Sequence, residues 1–226
     1  QIFEGITVNC TSFDCTSIFR NDMSKIKNIL FDLGGVLIDI DYNKTAQAFI
    51  DLGIKNFNEL YTQFTATDLF ENFETGKATA ADFYITLQQY THPPLTNMQI
   101  DAAWNAMLMD IRKESLEFLH EVKEQYNIYL LSNTNTIHLS AFNNILKAQT
   151  GLDSMNDFFI KSYYSHRIHL RKPYPATYQF VLQDAGILAE KTLFIDDTAP
   201  NIETARQLGF HTHLLLKGEK IVDLGL

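Results

Sequence analysis

Short apolar runs that end at a polar residue or a glycine recur along the chain, separated by stretches with helical spacing. The first, Ile-Leu-Phe at 29–31, halts at Asp32 and is followed by Gly34 and Gly35. Such a run reads as a buried strand that emerges into a tight turn. The β-branched alternation of 33–41 argues against Asp32 being the cap of a helix. From Thr45 to about Lys123 the period is helical: Ala46, Phe49 and Ile50, then Phe57, Leu60, Tyr61 and Phe64, then Phe83, Leu87 and Tyr90. Ala102, Ala103, Ala106 and Met107 continue it to Asp110, with punctuation at Gly53, Gly76 and the His-Pro-Pro of 92–94. A helix over 116–126 then leads into alternation: strands at 127–131, 158–164, 192–195 and 211–216, helices at 136–147, 175–185 and 199–208. Strands alternating with helices require a parallel sheet covered on both faces. The predicted fold is α/β, a doubly wound parallel sheet with a helical cap inserted after its first strand. The core is expected at 23–42 and 111–226, and the cap at 43–110.

Composition narrows the functional classes. With 46% hydrophobic and 20% charged residues the composition is ordinary for a soluble globular protein, and 226 residues suffice for one α/β domain with a modest insertion or for two small domains. No apolar stretch approaches the ~20 residues that cross a bilayer, so no membrane partner is expected. A net charge of −9 argues against nucleic-acid binding, and it requires a local cation wherever an anionic substrate is held. Both cysteines, Cys10 and Cys15, fall within 1–22. The body therefore has no disulfide framework, which suits a reducing, cytoplasmic location. Segment 1–22 lacks the basic and apolar blocks of a signal peptide, and Met23 precedes the first strand closely. This segment is expected to be an N-terminal extension without a catalytic role.

Polar groups stand at four corresponding places: Asp32 after the first run, Ser132 and Asn133 after the second strand, Lys172 in the turn before helix 175–185, and Asp196-Asp197 after strand 192–195. In a parallel sheet Asp32, Ser132 and Asp196 leave by the same edge, where ligands of open α/β sheets bind. Carboxylates from different strands repel unless a divalent cation lies between them, and hard oxygen ligands favour magnesium. A carboxylate can attack phosphorus, while a lysine, a hydroxyl and backbone N–H groups hold the phosphoryl oxygens. Each residue also has a plainer reading: Ser132, Asn133 or Thr134 as a helix cap, Lys172 as a solvated lysine, Asp196-Asp197 as charges at a helix N-terminus.

The four segments, taken in order, resemble the four motifs of the haloacid dehalogenase superfamily, and the resemblance runs from Lys25 to Leu216. Residues 32–41 (Asp-Leu-Gly-Gly-Val-Leu-Ile-Asp-Ile-Asp), 131–135 (Leu-Ser-Asn-Thr-Asn) and 171–173 (Arg-Lys-Pro) are most similar to bacterial phosphatases of sugar phosphates such as α-glucose 1-phosphate. The resemblance implies a magnesium-dependent phosphatase acting on a small phosphate ester through an aspartyl-phosphate on Asp32. It makes Asp32 nucleophile and metal ligand, Gly34 a ligand through its carbonyl, Asp196 the completing protein ligand and Asp197 a further residue of the metal site, acting through water or from behind the ligands. Ser132 and Asn133 bind phosphate in this scheme, and Lys172 neutralises Asp32 and the phosphoryl group. The 73–77 segment resembles the cap loop that reaches over the site, which makes Glu74 and Lys77 substrate-binding candidates. Trp104 is read as cap core, His166 and His169 as loop or surface residues, and Asp39 and Asp41 as solvated. One departure stands out: Gly34 occupies the position of the acid/base aspartate of most phosphatases in the superfamily, so nothing obvious protonates the leaving oxygen. Dehalogenases of the superfamily also lack that aspartate. A metal-independent 2-haloacid dehalogenase and a non-catalytic phosphometabolite binder are therefore the alternatives, the first disfavoured by the retained Asp196-Asp197.

Overall fold

A computed structural model describes residues 25–61 and 67–226. The expectation for 1–22, both cysteines and Phe64 lie outside the described residues. Seven strands follow in chain order: β1 (Asn28–Phe31), β2 (Ile38–Ile40), β3 (Leu108–Ile111), β4 (Asn127–Ser132), β5 (Lys161–Tyr164), β6 (Thr192–Asp196) and β7 (His211–Leu214). Five of them form one parallel sheet in the order β5-β4-β1-β6-β7. From β1 the chain winds outward through β4 to β5, crosses to the far side of β1 as β6, and ends at β7. The order therefore reverses between β1 and β6, which opens a crevice beyond their carboxyl ends.

Central strands of such a sheet are covered on both faces, which explains the unbroken apolar run of 29–31. Ile29 and Phe31 enter one core with Leu119 and Phe142, from the helices Lys113–Val122 and Thr136–Thr150. Leu30 enters the other with Tyr178 and Ile202, from the helices Pro175–Ala185 and Ala199–Gln207. The doubly wound α/β architecture expected from the sequence is thus present. No helix among the described residues is long and apolar enough to cross a membrane.

Between β2 and β3 lie the helices Tyr42–Asp51, Phe57–Leu60, Asp68–Glu74, Ala80–Gln88 and Asn97–Asn105. They enclose an aromatic core of their own, in which Phe49 stacks on Phe57 at 4.3 Å and Trp104 is fully buried among Tyr61, Phe70 and Phe83. Trp104 is a core residue, as its Ala-rich helix suggested. Thr79 with Asp82 and Thr96 with Gln99 close reciprocal boxes at two of the helix starts. The helical reading of 102–110 fails in its second half: the helix stops at Asn105, and Leu108–Ile111 pairs antiparallel with β2. Two strands thus connect the insert to the sheet. Strand 158–164 is also shortened, because Met155–Phe158 is a 3₁₀ turn and β5 starts at Lys161.

One buried carbonyl joins elements of the insert and of the core. Trp104 O accepts from Thr45 Oγ1 at 2.9 Å and from His138 Nε2 at 3.0 Å. Because that nitrogen donates, His138 Nδ1 is the acceptor facing the Asn135 amide at 3.2 Å. Burial drives the His138 pKa down to about 4, so the ring is neutral at pH 7.

Candidate active site

The sheet's carboxyl edge gathers the predicted groups around a cleft of about 170 Å³ lined by Asp32, Gly34, Ser132, Asn133, Lys172 and Asp197. Asp32 directly follows β1, Ser132 ends β4 and Asp196 ends β6, so strand register alone sets their spacing. Lys172 arrives from the loop ahead of helix Pro175–Ala185 and is 1% exposed. Its ammonium lies 2.8 Å from Asp32 Oδ1 and 2.6 Å from Asp196 Oδ2. Lys172 N–H donates to Asn133 Oδ1 and Asn133 Nδ2 donates to Lys172 O, both at 2.9 Å, tying the second and third motif loops together. Burial works against the Lys172 charge, but Asp196 and Asp32 outweigh it and hold its pKa above the ordinary value.

Ligand oxygens of Asp32, Asp196 and Asp197 lie within 4.8 Å of one another. Burial, together with Asp196 and Asp197, pushes the Asp32 pKa up to about 8 against the opposing pull of Lys172. Asp197 is raised by burial and by Asp196. Asp32 and Asp197, whose ionisation burial and the neighbouring carboxylates oppose, are hard oxygen donors of the kind a divalent cation satisfies.

The two carboxylates of the fourth motif have different surroundings. Asp196 is completely buried, and both its oxygens are taken by N–H donors. These are Lys172 Nζ, Thr198 N–H at 2.8 Å, and Asn201 Nδ2 at 2.9 and 3.0 Å. Asp197 instead lines the cleft, with Oδ1 accepting from Thr198 Oγ1 at 3.0 Å. Its other oxygen, Oδ2, packs against Gly35, whose φ is +71° and where a Cβ would come within 2.1 Å of it. Only glycine fits there, sterically and conformationally. Gly35→Ala is expected to displace the Asp197 carboxylate and weaken magnesium binding by about 10–100-fold, as seen when groups that orient metal ligands are lost. Calorimetric titration with magnesium checks this, and unchanged affinity would mean that Asp197 is not part of the donor set.

Other placements differ from the sequence reading. Lys77 is exposed and does not line the cleft. Its N–H donates to the Asn72 carbonyl at 2.8 Å in the turn after the helix Asp68–Glu74. The cation that meets Glu74 is Arg171, at 3.2 Å, next to Lys172 in sequence. Glu74 is buried and lines the cleft, accepting from the Tyr61 hydroxyl at 3.1 Å. Burial raises its pKa, with Arg171 and Tyr61 pulling the other way. His166 is not at the surface: it is buried, and its Nδ1 donates to Thr134 O at 3.2 Å, beside Ser165 Oγ donating to the same carbonyl at 2.9 Å. These bonds brace the loop that carries Ser132 and Asn133. The helix after that loop is capped by Asn135, not by Ser132, which leaves the Ser132 hydroxyl to the cleft. Asp41 caps helix Tyr42–Asp51 and Asp39 pairs with Arg112, so neither lines the cleft. The space beside Gly34 is taken by Ile40, 3.2 Å from where a Cβ would sit.

Residues 26–209 match the family model of haloacid dehalogenase-like hydrolases. The chain belongs to this family. A D-ribitol-5-phosphate phosphatase of Bacteroides thetaiotaomicron is 34% identical over 187 residues, covering 83% of this chain and 90% of the relative. Among solved haloacid dehalogenase-like structures, a family enzyme of Bacteroides thetaiotaomicron crystallised with magnesium and inorganic phosphate is 35% identical. It covers 88% of this chain and 98% of its own, with a TM-score of 0.78. A HAD-like hydrolase from Porphyromonas gingivalis is 32% identical, covers 86% of this chain and 93% of its own, and has a TM-score of 0.79. Motif residues of the family therefore sit where the sheet's topology directs a ligand. Tyr42, Tyr61, Arg171 and Asn201 were not among the residues the motifs singled out for the site.

Proposed function

We propose that this hydrolase is a magnesium-dependent phosphatase of sugar or polyol phosphates, working through an aspartyl-phosphate on Asp32. The observation that carries the reading is the buried Lys172 ammonium set between Asp32 and Asp196, beside a third carboxylate on the cleft wall. The relative's activity on ribitol 5-phosphate and the neighbour crystallised with magnesium and phosphate support it.

In this mechanism Asp32 and Asp197, with the Gly34 carbonyl, hold magnesium, which supplies charge to offset the phosphoryl oxygens. Lys172 and Leu33 N–H both engage Asp32 Oδ1, at 2.8 and 2.7 Å, which fixes the carboxylate and leaves Oδ2 as the attacking atom. Attack forms the Asp32 O–P bond and breaks the bond from phosphorus to the ester oxygen, whose alkoxide takes up a proton. Ser132 and Asn133 bind the phosphoryl oxygens, and Lys172 balances their charge. Water then attacks phosphorus, releasing phosphate and restoring the carboxylate. Asp196 acts as a positioning residue, holding Lys172 and Asn201 in place.

The test is phosphate release from D-ribitol 5-phosphate and p-nitrophenyl phosphate, measured with magnesium and with EDTA. Release with magnesium and none in EDTA is expected. Full activity in EDTA would remove the metal from the mechanism. Halide release from 2-chloropropionate without phosphate release would favour the dehalogenase alternative.

A further inference from the structure

An alkoxide leaving group needs a proton, and the carboxyls around the cleft are otherwise engaged. Gly34 carries none, and Ile40 fills the space where one would stand, 3.2 Å from a Cβ. Asp39 pairs with Arg112, and Asp41 caps helix Tyr42–Asp51 by accepting from Asn43 N–H at 3.1 Å. Glu74 is buried, with Oε1 accepting from Tyr61 and Oε2 facing Arg171 at 3.2 Å, which closes both oxygens to a ligand.

Hydroxyls are the neutral proton donors left on the cleft wall. Tyr61 donates to Glu74, Thr198 Oγ1 donates to Asp197 Oδ1, and Ser132 stands at the end of β4 where the phosphoryl group is held. Tyr42 differs from these. It is half-buried on the wall, and among the described residues no hydrogen bond engages its hydroxyl. The helix start fixed by Asp41 sets its backbone, and its ring packs on Tyr61 with centroids 6.2 Å apart. Tyr42 and Gly34 both line the cleft, and both line the smaller cavity of about 60 Å³ that adjoins it. Tyr42 therefore borders, from the insert, the space where Gly34 offers no acid. Burial, reinforced by the charges of Asp197, Glu74, Asp32 and Asp196, holds its hydroxyl protonated at neutral pH.

We infer that Tyr42 donates the proton that the leaving oxygen takes up, and recovers one from the water that attacks the aspartyl-phosphate. This inference rests on the phosphatase reading above and deepens it. As the bond from phosphorus to the ester oxygen breaks, the Tyr42 O–H bond breaks and the proton passes to that oxygen. A phenol, with an ordinary pKa of about 10, is a stronger acid than the alcohol it generates, so the transfer runs downhill. The nearby carboxylates weaken that drive and make the phenolate a stronger base. In the second step water forms its bond to phosphorus, the Asp32 O–P bond breaks, and the phenolate takes a proton from the water, which restores the tyrosine.

Tyr42→Phe keeps the ring and removes the hydroxyl. The experiment compares kcat/KM, which covers the steps through departure of the leaving group, for D-ribitol 5-phosphate and p-nitrophenyl phosphate with magnesium present. p-Nitrophenolate leaves as a stable anion, whereas a polyol alkoxide needs the proton. Tyr42→Phe is expected to lower kcat/KM for the polyol ester by about 100-fold or more, and at least about tenfold further than for the aryl ester. An equal loss on both esters, or no loss on the polyol ester, would overturn the inference. If circular dichroism shows that Tyr42→Phe does not fold, the parent decides, through kcat/KM across esters of graded leaving-group acidity. A shallow dependence supports a proton donor on the wall, and a steep rise with acidity overturns one. A parent that releases phosphate from neither ester fails the phosphatase reading and the inference with it. A parent active on both, with Tyr42→Phe lowering both alike, fails the inference alone.

Discussion

Asp32→Asn is expected to lower turnover by at least ~10³-fold in the presence of magnesium while the protein stays folded. The substitution keeps the shape of the side chain, and the amide oxygen can still accept from Leu33 N–H, so the turn after β1 keeps its geometry. What disappears is the anion that attacks phosphorus and half of the charge that Lys172 balances. Circular dichroism and thermal unfolding should match the parent closely, and a radiolabelled or mass-shifted phosphoryl adduct should form on the parent only. Turnover by Asp32→Asn above a few per cent of the parent would mean that another residue attacks.

Lys172→Met should have the second largest effect, and it should appear in stability as well as in rate. The ammonium is sealed from solvent between Asp32 and the fully buried Asp196. Removing one partner of a buried ion pair typically costs about 3–5 kcal/mol, because the remaining charges stay desolvated and uncompensated. Uptake of protons by the carboxyls relieves part of this, in the direction already seen for Asp32. Magnesium replaces part of the missing charge and binds only the folded state, so it should raise the melting temperature of Lys172→Met far more than that of the parent. Thermal unfolding of both proteins in EDTA and in magnesium checks this. Equal melting temperatures in EDTA would show that the lysine does not hold the carboxylates together.

The parts of the site that were legible in the sequence are those fixed by strand ends. An apolar run stopping at Asp32, Ser132 or Asp196 states both the strand and the edge at which its polar residue emerges, and parallel pairing does the rest. Residues delivered by tertiary packing carried no such mark. Arg171 and Lys77 are both loop cations, and only the fold turns the first toward Glu74 and leaves the second exposed. His166 reads as a surface residue because histidine is polar, yet a buried carbonyl at Thr134 needed a donor. The division between Asp196 and Asp197 was hidden for a related reason: adjacent identical residues differ only in which one points into the sheet's end. β3 escaped notice because its four residues are mostly partly exposed and directly follow a helix.

The Trp104 carbonyl, shared by Thr45 of the insert and His138 of the core, also decides how this molecule can open. Along a second seam, Tyr174 reaches Glu71, His169 Nδ1 donates to Thr75 O, and Arg171 pairs with Glu74. The first anchor is buried, while the second seam includes exposed side chains that water can replace. An opening that keeps the buried anchor is expected to turn about Trp104 as its spine and to part the seam at Glu71 and Thr75. The chain's one tryptophan sits at the spine, where its emission reports whether the binding of the two halves has come undone.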